Sequence, residues 1–218
     1  LCVAAEGESL TYVAPFAYMI RQDGSLQPID DSPIVCAAYA ENAAPMMTIA
    51  NFSPGSPGSE LAHAVLSNQN AVSRLLDNIV AVMQEKNYRA LKIDFENVFP
   101  EDRALFNQFA QKAAERMHAQ GFAISSALAP KYGAEQEGLL YTAHDYPVHG
   151  KVMDFVVLMT YEWGYREGPA QAISPVNQIR RVLDYAVTVI PQEKILLGFL
   201  IYARDWLLPF RPGQVAET

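Results

Sequence analysis

Residues 91–98 read Leu91-Lys92-Ile93-Asp94-Phe95-Glu96-Asn97-Val98. The stretch is apolar and β-favouring, and it ends in two carboxylates, Asp94 and Glu96, with one residue between them. Side chains alternate faces along a strand, so both acids point the same way. Two carboxyl groups side by side resist being ionised together. One then keeps its proton toward neutral pH and can serve as a general acid. The same pattern also fits a strand that runs out into solvent with two incidental acids.

Working outward, the strand candidates besides Arg89–Val98 are Thr11–Ile20, Ala44–Phe52, Gly121–Pro130, Met153–Trp163 and Lys194–Trp206. Most are nearly continuous apolar runs, such as Phe155-Val156-Val157-Leu158-Met159 and Ile195-Leu196-Leu197-Gly198-Phe199-Leu200. Runs of this kind suit strands buried on both faces, hence a parallel sheet covered by helices. Helical stripes lie between them. One holds Val72, Leu75, Leu76, Ile79, Val82 and Met83, and a second holds Leu105, Phe106, Phe109, Ala113 and Met117. The second opens with Pro100, Glu101 and Asp102, suited to a first turn and its positive dipole end, and stops at Gly121. A third follows Ser174-Pro175 with Val176, Ile179, Val182, Leu183 and Ala186.

Strand and helix alternating in this way mean an α/β fold. The expected architecture is a (β/α)8 TIM barrel, incomplete here because only about six to seven strands fit, and residues 1–218 form one domain. The polar stretch Ser53–Ser59 directly follows a strand, which places it at the mouth of a barrel.

Composition narrows the function. Half of the 218 residues are apolar and 18% are charged, enough for a large core and inconsistent with disorder. The net charge of -8 and a pI near 5.0 argue against a nucleic-acid partner and do not favour anionic membranes. Apolar runs of roughly ten residues are too short to span a bilayer. Four histidines and two cysteines, Cys2 and Cys36, are too scattered for a zinc site, and no metal is expected. A Cys2–Cys36 disulfide is possible without further support, while Cys36, in an apolar helical patch, reads as core. No basic stretch followed by an apolar run stands at Leu1, so no signal peptide is read there and localisation stays open.

Several strand candidates end in polar or aromatic residues: Asn51-Phe52, Asp94-Phe95-Glu96-Asn97, Thr160-Tyr161-Glu162-Trp163 and Tyr202-Ala203-Arg204-Asp205-Trp206. In a barrel these ends converge on the mouth, where the active site sits. Acids ringed by Tyr and Trp suit a sugar. His144 and Asp145 either touch substrate or fix a loop, and Lys131 either reaches the mouth or is solvated. His63 and His118 read as surface residues.

These residues resemble the family 18 glycoside hydrolases, the chitinase-like (β/α)8 enzymes, and within them the bacterial spore-associated peptidoglycan N-acetylglucosaminidases. The resemblance runs through Ile93-Asp94-Phe95-Glu96-Asn97-Val98, Ser126-Ala127-Leu128-Ala129-Pro130-Lys131, Ala143-His144-Asp145-Tyr146 with His149-Gly150, Asp154-Phe155-Val156, Leu158 to Tyr165, and Arg181-Val182-Leu183-Asp184-Tyr185-Ala186. It implies a retaining reaction in which the substrate's own 2-acetamido oxygen attacks C1, an exception to the usual two-carboxylate scheme. It further implies Glu96 as general acid and then base, Asp94 as the residue that orients the acetamido group, and Tyr161 as a hydrogen bond to the acetamido oxygen. Asn51, Glu162, Trp163, Tyr165 and Tyr202 would be substrate contacts. The implied partner is a glycan of the peptidoglycan, spore-cortex or chitin type, with no cofactor, and the implied setting is a bacterial spore or cell envelope.

Two departures qualify this. The family's strand opens with Asp-Gly and carries a small or polar residue two places before its middle acid, where this chain has Arg89-Ala90 and Lys92. Lys92 shares a face with Asp94 and Glu96, and a buried lysine is costly unless paired. A Lys92–Asp94 pair could hold Asp94 away from Glu96, which keeps open a catalytically weak or inactive, carbohydrate-binding alternative. The resemblance also aligns Thr11–Ile20 with the second barrel strand and Lys194–Trp206 with the seventh. The open barrel is then a fragment, a shortened variant, or one completed by a partner chain. Oligomeric state is not legible.

Overall fold

The computed structural model describes residues 3, 5 and 7–217. Among them it contains β1 (Tyr12–Val13), β2 (Tyr18–Met19), α1 (Ser32–Ala40), β3 (Ala44–Ala50), α2 (Ser59–Leu66) and α3 (Gln69–Glu85). These are followed by β4 (Ala90–Asp94), α4 (Arg103–Ala119), β5 (Ala123–Leu128), α5 (Tyr146–Val152), β6 (Phe155–Leu158), α6 (Val176–Ala186) and β7 (Ile195–Leu197). The strands are all parallel. Their order is β1-β3-β4-β5-β6-β7, with β2 also on β3, and nothing among the described residues pairs β7 back to β1. The sheet nevertheless curls. The rings of Tyr12 on β1 and Phe155 on β6 meet at 5.3 Å across its concave side. This is an incomplete (β/α)8 barrel, as the alternation of elements predicted.

The parallel register sorts the side chains into two populations. Met47, Ile49, Leu91, Ile93, Ile124, Leu128, Val156 and Leu158 share one buried core with Leu75, Ile79, Phe106 and Phe109 of the covering helices. Burial of each such side chain contributes about 1.5–3 kcal/mol, so this layer holds the helices to the sheet. The alternate positions face the barrel interior and are mostly small. At one level Thr48, Lys92 and Ser125 stand side by side, and at the next Ala50 flanks Asp94.

The helix ends follow local chemistry. Asn68 caps α3 by accepting from the amides of Asn70 and Ala71 at 3.0 and 3.2 Å. α4 follows a 3₁₀ turn at Pro100–Asp102 and ends before Gly121, whose φ of 75° is the left-handed conformation that suits glycine after a helix.

Several expectations are corrected. Thr11–Ile20 is two short strands rather than one, because Pro15 lies between the pieces and cannot donate to a ladder. The candidates Met153–Trp163 and Lys194–Trp206 contain only four and three strand residues, in β6 and β7. β7 is not buried on both faces. Leu196 and Leu197 are 45% and 42% exposed, because β7 is the edge strand, paired among the described residues only with β6. Cys36 is exposed rather than core, since α1 turns Val35 and Ala38 inward instead; Cys2 lies outside the described residues. No helix among the described residues is long and apolar enough to cross a membrane.

Candidate active site

β4 delivers Asp94 and Glu96 on its interior face, as the alternation requires. Asp94 is buried and Glu96 partly so. The backbone that carries Glu96 is fixed on both sides. Asn51, at the end of β3, accepts from the Glu96 amide at 3.2 Å and donates to the carbonyls of Asn97 and Gly58, each at 3.2 Å. Gly58 can sit there because it has no Cβ; one would lie 2.0 Å from the Asn51 carbonyl oxygen, and its φ is 84°. On the other side His144 accepts from the Ala129 amide at Nδ1, 2.7 Å away, which leaves Nε2–H to donate to the Phe95 carbonyl at 2.9 Å. Burial drives the His144 pKa down to about 4, so the ring is a neutral strut.

Glu96 lines a cavity of about 240 Å³ with Pro130, Leu140, Tyr141, Met159, Tyr161, Glu162 and Trp163. Burial, and then the negative charges of Asp94 and Glu162, raise its pKa to about 7, against a partial offset from Lys92. Glu96 is therefore half protonated near neutrality, as a residue that gives up and later recovers a proton requires. Tyr161 stands across the cavity. Burial and the nearby carboxylates of Asp94, Glu96 and Glu162 raise its pKa, keeping a hydroxyl proton available for donation. Its ring lies against Gly198 just past β7, where an added Cβ would come within 2.6 Å of the ring and 2.9 Å of the Leu158 carbonyl oxygen.

The segment after β6 forms the rim. Glu162 adopts a left-handed φ of 62°, an uncommon conformation for a residue with a side chain. It is held there by the Tyr202 hydroxyl at 2.5 Å and by Arg204 at 2.8 Å, while Arg204 also donates to the Gly164 carbonyl. Trp163 donates from Nε1 to the Tyr132 hydroxyl at 3.0 Å, and the Arg181 guanidinium lies 4.0 Å from the centre of the Tyr132 ring. An acid, a facing tyrosine and a fixed indole thus line one cavity.

A model of the glycosyl hydrolases family 18 matches residues 46–212, a span that holds every one of these groups. The chain belongs to glycoside hydrolase family 18. It is 40% identical over 204 residues to the cortical fragment-lytic enzyme of Bacillus subtilis, covering 94% of this chain and 47% of that relative. Among solved structures it resembles the spore cortex-lytic enzyme SleL of Bacillus cereus with a TM-score of 0.94 at 35% identity, over 99% of this chain and 50% of that one. A chitinase from Chromobacterium violaceum shares the fold, with a TM-score of 0.87 at 23% identity over 94% of this chain and 65% of that one. The chain spans about half the length of the curated relatives it matches.

Around this cavity the sequence-derived residues divide. Glu96, Tyr161, Glu162 and Trp163 line one cavity, with Asp94 two residues along the strand from Glu96. Tyr202 sits behind Glu162, and Tyr165 is 54% exposed and away from the cavity lining. Asn51 is buried, with both ends of its amide spent on backbone, so it supports the acid from beneath. His144 and Asp145 fix loops, Asp145 by accepting from Arg103, Asn107 and the Val148 amide. Lys131 is buried against the His144 carbonyl instead of reaching the mouth. The wall of Leu140 and Tyr141 was not singled out from the sequence. The available signal was the apolar Leu139-Leu140-Tyr141 inside a loop after a strand.

Proposed function

We propose that this chain carries the catalytic site of a retaining β-N-acetylglucosaminidase acting on peptidoglycan-derived glycans of the spore-cortex type. The observation that supports it most is Glu96, an acid whose pKa is raised to about 7, facing a cavity with Tyr161 and backed by Asp94. The names of the relatives, which are cortex-lytic, support the substrate class and a spore or envelope setting.

Glu96 gives its proton to the glycosidic oxygen as the C1–O bond breaks. The oxygen of the substrate's 2-acetamido group bonds to C1, and the positive charge spreads over the resulting oxazolinium ring. Asp94 accepts a hydrogen bond from the acetamido N–H and stabilises that charge, while the Tyr161 hydroxyl donates to the acetamido oxygen and aims it. The Glu96 carboxylate then takes a proton from water. The water oxygen attacks C1, the amide re-forms, and configuration at C1 is retained. Trp163 and Tyr141 offer ring faces to the sugar, and the Glu162 carboxylate at the rim accepts hydrogen bonds from sugar hydroxyls.

The test is hydrolysis of a chromogenic N-acetylglucosamine oligomer and of spore-cortex fragments by wild type and Glu96→Gln across pH. The proposal expects turnover that is lost in the folded variant. Sugar binding without turnover by the folded wild type would instead establish a carbohydrate-binding protein.

A further inference from the structure

The reaction above gives Lys92 no part, yet the fold places it inside the barrel beside the acids. Its Nζ lies 3.2 Å from Asp94 Oδ2, with the lysine side chain 20% exposed and that of Asp94 6%. The other oxygen of Asp94, Oδ1, is buried and has no hydrogen-bond partner among the described residues. A lysine fits this interior because the residues level with it on the neighbouring strands are the small Thr48 and Ser125. Removing either member of so enclosed a pair would leave the other charge uncompensated.

Other charges around the site do not substitute for it. Glu96 is faced by Asp94 and Lys92 from β4, and by Glu162 and Tyr161 from the segment after β6. Arg204, after β7, is committed to Glu162 and the Gly164 carbonyl, and Tyr202 is committed to Glu162. β3 contributes the neutral Asn51, and the β5 side contributes Pro130, Leu140 and Tyr141. Lys92 is thus the cation of the inner strand face, and it partly offsets the two carboxylates that act on Glu96.

We propose that Lys92 is a positioning residue for the hydrolytic reaction, acting through Asp94: its ammonium occupies one carboxylate oxygen and so presents the other, unshared, to the acetamido N–H of the substrate. This rests on the substrate-assisted reading of the site. The ion pair gives the Asp94 carboxylate a preset orientation. A fixed acceptor helps most where charge develops on the acetamido group, so its benefit belongs to the transition state more than to substrate binding.

The experiment compares wild type, Lys92→Met and Lys92→Arg in two assays, with melting temperatures recorded for each. The first is the pH profile of kcat and KM on a chromogenic N-acetylglucosamine oligomer. The second is calorimetric binding of the thiazoline analogue of N-acetylglucosamine, a mimic of the cyclised intermediate. In Lys92→Met, kcat should fall roughly 10- to 100-fold with KM changed less than about threefold. Thiazoline affinity should fall by a similar factor. The alkaline limb of kcat/KM should move to higher pH, because the cation that restrains the Glu96 pKa is gone. Lys92→Arg keeps the charge and should restore most of kcat. Wild-type kcat, thiazoline affinity and limb position in Lys92→Met would overturn the proposal. So would equal damage in both variants with a matching drop in melting temperature, which would mark Lys92 as structural. If wild type binds the thiazoline without turnover, the hydrolase reading fails and the affinity comparison still decides the role of Lys92. If wild type does neither, both fall.

Discussion

The two faces of β4 share one backbone and have opposite duties. Outward, Leu91, Ile93 and Phe95 are fully buried, and Phe95 stacks on Phe106 and Phe109 with ring centres 5.8 and 5.6 Å away. Inward, at the alternate positions, stand Lys92, Asp94 and Glu96. Apolar burial stabilises the outer face. Charges close together in a partly dry interior make the inner face a cost, visible in the raised pKa of Glu96 and the orphaned oxygen of Asp94. The comparison teaches that a strand two residues out of step with its core would lose neither face, whereas a slip of one would exchange them.

Substitutions at adjacent residues should therefore act in opposite directions. Phe95→Ala should destabilise by about 3–5 kcal/mol, the cost of an aromatic cavity, seen as a lower urea midpoint. Glu96→Gln should raise stability at pH 8 by about 1–2 kcal/mol after allowance for solvent screening, because a carboxyl held near 7 resists the ionisation that the unfolded chain undergoes freely. A destabilised Glu96→Gln would break the contrast.

The pH dependence of folding sharpens it. The Glu96 pKa is raised in the fold, so its protonated form is favoured there and stability is lost as pH rises from about 4.5 to 7. The His144 pKa is depressed, so stability is lost as pH falls from about 6.5 toward 4, and His149, buried and held at about 3, acts in the same direction. In wild type these slopes oppose each other. Urea titrations of Glu96→Gln from pH 7 to 4.5 should show a steeper acid loss than wild type, and His144→Gln a shallower one.

Smaller effects lie at the rim. Glu162→Gln removes one of the carboxylates that raise the Glu96 pKa, so the alkaline limb of kcat/KM should move down by a fraction of a pH unit. Tyr165→Ala, at an exposed position outside the cavity lining, should change KM by less than about threefold. A tenfold rise in KM would place Tyr165 at an extended subsite.

How much of this could be read beforehand follows the same division. Alternation in Leu91 to Val98 exposed the acid pair, and the segment Tyr161-Glu162-Trp163 the opposite wall, because both are local patterns. Helix α5 was not foreseen, and α1 and α2 were read only as helical patches around Cys36 and His63; each is nine residues or fewer, too short to impose a clear period. The supporting role of Asn51 and the strut formed by His144 depend on pairs 45 and 49 residues apart, which no local pattern carries. Lys92 was legible as an inward charge. That it leaves one oxygen of Asp94 unshared is a matter of geometry.

The most direct measurement is the pH profile of kcat/KM for an N-acetylglucosamine oligomer, wild type against Glu96→Gln. The account predicts a wild-type rate that falls above an apparent pKa near 7, and a folded variant slower by at least about a thousandfold. A wild-type rate that stays flat to pH 9, or a variant that retains turnover, would contradict it.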